Sequence, residues 1–181
     1  MAWVCQRGYA RGGAWWLQGQ TLLFALPSTI VGLGLVSLWN RGPFGWLYGT
    51  AAMIVLGSLA RFGPLVVLTF GAFLAQVARD CEEAIRLDGG GVGATLLHFV
   101  APVSRRAIGM VWAMGFVLCM GELATTILVA PPGTQTLAVR LFTIEANAPA
   151  GQVSSLALVL AASCLLPLLL WGTTLAKEAE R

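Results

Sequence analysis

Residues 47–70 read LYGTAAMIVLGSLARFGPLVVLTF, an apolar run interrupted by a single charged side chain, Arg61. A helix rises about 1.5 Å per residue, so roughly 20 apolar residues cross the hydrocarbon core of a bilayer. This stretch is long enough, and its composition is repeated outward in both directions. Further apolar blocks cover about 17–38, 107–129 and 153–171. The whole chain of 181 residues is 57% hydrophobic and only 10% charged, with a mean hydropathy of +0.80. Soluble domains carry about 25% charged residues, because they must cover themselves with groups that water solvates. The expected fold is therefore all-α: a polytopic membrane helical domain with about four transmembrane helices, forming one domain over 1–181. The first block is too long and too interrupted, by Pro27 and several glycines, for a cleaved signal peptide, and no Ala-x-Ala site follows it.

Basic residues set the expected orientation. With a cytoplasmic amino terminus, the inner segments hold Arg7, Arg11, Arg79, Arg86, Arg105, Arg106, Lys177 and Arg181, whereas the outer loops hold only Arg41 and Arg140. Eight against two satisfies the positive-inside rule. Both termini and the long loop at about 72–106 are then cytoplasmic. Trp15, Trp16, Trp39, Trp46, Tyr48 and Trp171 fall near span ends, where amphipathic rings favour the interface. The net charge of +3 is scattered between apolar blocks instead of forming a patch, which argues against a nucleic-acid partner.

The long loop carries the most specific pattern. Over 74–87, Leu74, Val77, Ala78, Cys81, Ala84 and Ile85 recur at helical spacing, with Gln76, Arg79, Asp80, Glu82, Glu83 and Arg86 on the other face. Asp88 and the glycines from Gly89 to Gly91 should end that helix, since glycine accepts a left-handed cap. A second apolar stretch, 94–100, ends at Pro102, and Ser104 is placed to cap the next span. An amphipathic helix–turn–helix of this kind suits a groove on a partner protein. A loop lying on lipid headgroups is the competing reading.

The order of residues in this loop resembles the EAA motif, E-A-A-x3-G-x9-I-x-L-P, of permease subunits of binding-protein-dependent type I ABC importers. Glu83, Ala84 and Ile85 stand at the E-A-A positions, Gly89 at the glycine, and Phe99, Ala101 and Pro102 at the Ile, Leu and Pro positions. Ile85, Phe99 and Ala101 depart from the pattern but remain apolar. The segments LPSTIVGLG (26–34), ARFGP (60–64), GELAT (121–125) and PPGTQTLAVR (131–140) are similar to the ferric-iron branch of that family. Permeases for thiamine, phosphonate, sulfate or polyamine share parts of them. The resemblance implies a methionine-importer-like fold and a place in a bacterial inner membrane. It also implies alternating access driven by separate ATP-binding-cassette ATPase subunits. A second permease copy or half and an extracytoplasmic solute-binding protein complete the implied assembly. ATPase docking is implied for Glu82, Glu83, Ala84, Ile85, Gly89 and Pro102. Relatives carry further spans before the equivalent of Leu22, so the chain is expected to be the carboxy-terminal part of a module. A truncated, nonfunctional remnant is the alternative.

Two intramembrane ionisable residues are candidates for the solute pathway. Arg61 sits mid-block, where an arginine costs about 2.5–3.5 kcal/mol on insertion scales, so it should face protein or water. Pro64 leaves the carbonyl of Ala60 without its helical donor, and Arg61 could supply one. Glu122 sits mid-way along the third block, and pairing with Arg61 would satisfy both. A self-contained channel or secondary transporter would need more coupling groups than these two. Enzymatic readings are weak: no G-x-x-x-x-G-K-[ST], no H-E-x-x-H and no Ser/His/Asp set occurs. His98 lies among apolar neighbours, and the run Gly89 to Gly93 reads as a turn. Cys5, Cys81, Cys119 and Cys164 are far apart with no CxxC pair, and no cofactor is expected.

Overall fold

A computed structural model describes residues 13–41, 45–77 and 91–179. Every regular element among them is helical. The principal helices are α1 (Gly13–Ala25), α2 (Ser28–Trp39), α3 (Ala52–Gln76), α4 (Arg105–Gly121), α5 (Ala124–Val129), α6 (Leu137–Glu145) and α7 (Ala150–Ala179). Between α3 and α4, residues 92–103 form a short irregular helix: an α turn, a π turn at Leu96–Val100, and a last turn at Ala101–Val103.

Two helices, α3 and the Ala150–Thr173 part of α7, are long and apolar enough to cross a membrane unaided. Two bent pairs reach the same length together: Trp15–Ala25 with Ser28–Trp39, bent by 102°, and Leu97–Val103 with Arg105–Gly121, bent by 51°. The all-α polytopic expectation thus stands, with two to four spans. The first block, however, is not one straight helix. Pro27, its φ of −57° set by the ring, takes an extended ψ of 139° just before α2, and the residue before a proline is itself driven out of the helical region. Neither half, of 13 and 12 residues, spans about 30 Å alone. The third block is also broken, at Glu122, whose ψ of 121° ends α4 before α5 begins.

The end of the second block also differs from its expected position. α3 continues to Gln76, so Leu74 belongs to the membrane helix and not to a separate loop helix, and Val77 is extended. The rest of the expected 74–87 helix lies outside the described residues. Ser104 precedes α4 but does not cap it. Its hydroxyl turns back to donate to the carbonyl of Val100, an alternative that serine side chains offer the backbone.

α3 is the hub. It packs on α1, α2, α4 and α5; α2 packs closely on α5, and α4 and α6 pack on α7. Helices in lipid gain little from hydrophobic exclusion and associate where small residues let backbones approach. Gly57 of α3 faces the methyls of Thr125 and Val129, each 3.3 Å from where a Cβ would sit. Gly32 of α2 meets Leu128 still closer, at 2.8 Å. The short α5 is thereby wedged between α2 and α3. On the far side, the apolar stretch of α7 has none of its best window buried, leaving Leu158, Leu165, Leu169 and Leu170 bare in the isolated chain.

Candidate functional site

The two helix breaks lie together, and the two intramembrane ionisable side chains attend them. A broken helix leaves carbonyls at one end and amides at the other without partners, and in lipid each such group must find one inside the protein. Arg61, on α3, donates from Nη1 to the carbonyls of Phe24 (2.9 Å) and Leu26 (2.6 Å), at the end of α1. Its guanidinium also lies 5.3 Å above the centre of the Phe24 ring. The partner expected for it, the Ala60 carbonyl freed by Pro64, is not the one it takes. Buried Nε of Arg61 has no hydrogen-bond partner.

Glu122 performs the matching task at the other break. Its Oε1 accepts from the backbone N–H of Thr125 at 2.8 Å, satisfying an open donor in the first turn of α5. The hydroxyl of Thr125, which is fully buried, donates to the carbonyl of Ser28 at 3.2 Å and so ties the start of α5 to the start of α2. Arg61 and Glu122 do not pair with each other; each binds backbone instead. Thr125 is the residue that joins the two breaks, and sequence reasoning missed it. The only local signal was a threonine three residues after Glu122, the spacing at which a side chain reaches back to cap.

α3 and α4 line an open apolar cleft of about 840 Å³. Leu59, Phe62, Val66, Val111, Trp112 and Phe116 form its body. Its few polar groups are Ser58, Cys119 and Thr136, and the Cys119 thiol meets Ser58. Among the described residues no group of three His, Cys, Asp or Glu side chains could hold a metal ion.

Of the residues assigned to partner docking, Glu82, Glu83, Ala84, Ile85 and Gly89 lie outside the described residues. Pro102 is described and exposed, in the turn before α4. The second half of that loop is fastened down. Val100 and Leu74 are buried against each other, flanked by Val67, Phe70, Phe73 and Phe99. Thr95, wholly buried, donates its hydroxyl to the carbonyl of Gly91. Leu97 points outward, 72% exposed, on the same short helix.

Comparison with known proteins points to transport. The chain is 28% identical over 142 residues to proteins named as the 2-aminoethylphosphonate transport system permease PhnV of Salmonella paratyphi A and Salmonella typhimurium. That alignment covers 78% of this chain and 53% of each relative, so the chain spans about half the length of the curated relatives it matches. It is also 25% identical over 114 residues to the ferric transport system permease protein FbpB 1 of Haemophilus influenzae, covering 63% of this chain and 18% of that one. No protein-family model and no solved structure matches. The chain's relatives are transport-system permeases and not enzymes.

Proposed function

We propose that this chain is the membrane-spanning permease part of an ATP-driven importer, working by alternating access with separate ATPase subunits. The observation that carries the reading is the spacing from Glu83 through Gly89 to Pro102, set in a chain whose relatives are named as permeases. The anchored helix at 92–103, with Leu97 exposed, supports a docking role for the loop. The implied partners are the ATPase, a second permease copy or half, and an extracytoplasmic solute-binding protein.

The resemblance puts ferric iron first among solutes, with phosphonate among the alternatives. The similarity to PhnV is higher in identity and longer than that to the ferric permease, which favours an aminoalkylphosphonate. The test is ATP-dependent uptake by the complete transporter in vesicles, with 2-aminoethylphosphonate and ferric iron offered in parallel. Phosphonate accumulation is expected; uptake of iron alone would reverse the order, and uptake of neither would remove both. In the same assay Glu122→Gln separates two roles. Glutamine keeps an acceptor oxygen for the N–H of Thr125, so the assembly should form as before. Uptake should fall if the carboxylate charge faces the solute path, and unchanged uptake would leave Glu122 only its capping role.

A further inference from the structure

We infer that Arg61 is a latch that holds α1 folded back on α3, and that α1 is a hinged arm while α2 and α5 move as one body. The grounds lie in how differently the two sides of the first break are held. On the α2 side the fastening is broad: Thr125 bonds Ser28, Leu128 closes on Gly32, and α5 is wedged against Gly57 of α3. On the α1 side, the helix packs on α3 about as extensively as α2 does on α5, but among the described residues no bond ties it to α5, and its open carbonyls at Phe24 and Leu26 are both held by one nitrogen of one side chain. Phe24 completes the grip by lying under the guanidinium.

The elbow itself favours motion. Leu26 and Pro27 are both exposed, and Pro27 cannot donate a hydrogen bond that would lock the two helices in line. When Arg61 lets go, the carbonyls of Phe24 and Leu26 lose their donors. They can regain them only by recapture, from water or by a rearranged turn, so the folded and released arms are distinct states. A hinge held by a few residues at element ends is a recurrent way to move one part of a protein past another. The inference is independent of which solute is carried.

The test uses the full chain in lipid nanodiscs, with its four cysteines replaced by serine and spin labels at Gln18 and Ser37, both exposed. With helix arms rising about 1.5 Å per residue, straightening a 102° bend lengthens that separation by roughly 10 Å. Arg61→Met should add a population shifted by that amount. A second pair, Ser37 with Ile127, reports the α2–α5 body and should not move. Arg61→Lys keeps a donor and should restore much of the short distance. If Arg61→Met fails to insert, Phe24→Ala, which removes only the ring, is read in its place and should show a smaller long-distance population. An unchanged Gln18–Ser37 distribution overturns the inference. So does equal broadening of both pairs, which would make Arg61 a general packing residue.

Discussion

At Gly109 the lack of a side chain is what lets α7 approach α4. A Cβ there would lie 2.1 Å from the Trp171 ring, far inside van der Waals contact, and a bulky fused ring has little room to yield. Gly109→Ala is therefore expected to destabilise the α4–α7 pair by about 1–3 kcal/mol, the range for overpacking a filled contact. Adding Trp171→Leu should recover part of that loss, since it removes the atoms the new methyl meets. A double-mutant cycle on thermal or denaturant midpoints in detergent measures the coupling; strictly additive effects would show that the two residues do not touch. Arg61 and Glu122 are charged residues set deep within apolar blocks. Their positions in the spans and their need for internal partners were legible in the sequence. Their actual partners were not, because Arg61 reaches carbonyls 35 and 37 residues away that only tertiary packing brings near. Local reasoning could offer only Ala60.

Among the elements, hydropathy located the apolar blocks but was blind to direction. Residues 17–38 have the composition of one span, and composition does not record that the chain turns by 102° at Leu26 and Pro27. The proline was the visible sign, and its effect on the preceding residue was the reason to weigh it more heavily. The break at Glu122 had a fainter sign, Gly121. The short helix at 92–103 was foreseen as an apolar stretch ending at Pro102. Its anchor is not legible there, because helical spacing groups Leu74 with the polar-faced loop helix, whereas Leu74 completes α3. Val100→Ala should cost about 1.5 kcal/mol for the methyl groups lost from a buried site. The loss should be local: limited proteolysis of the membrane-embedded chain is expected to cut faster between α3 and α4, with the span fragments intact. Unchanged cleavage there would mean that Val100 does not fasten the loop.

For the whole molecule, the charge distribution and the loop reading demand the same topology. A reporter fused after Arg181 should be cytoplasmic, and one inserted at Gln135, in the turn before α6, should be extracytoplasmic. The reverse pattern would put the loop on the wrong side for any ATPase. The broken first and third spans, the bare leucine face of α7 and the open cleft between α3 and α4 leave much apolar surface for lipid or for other permease helices. Under the proposed function, the loop between α3 and α4 transmits ATPase movement to the spans. Gly89→Val tests this most directly, because Gly89 stands at the glycine of the motif, where the sequence reading expects a turn that a β-branched residue resists. The measurement is co-purification with the transporter's own ATPase, together with solute-stimulated ATP hydrolysis of the assembled complex in membranes. The expected result is loss of stimulation, with or without loss of the ATPase, in a chain that still inserts. Wild-type co-purification and wild-type stimulation in Gly89→Val would contradict the assignment of this loop as the coupling element.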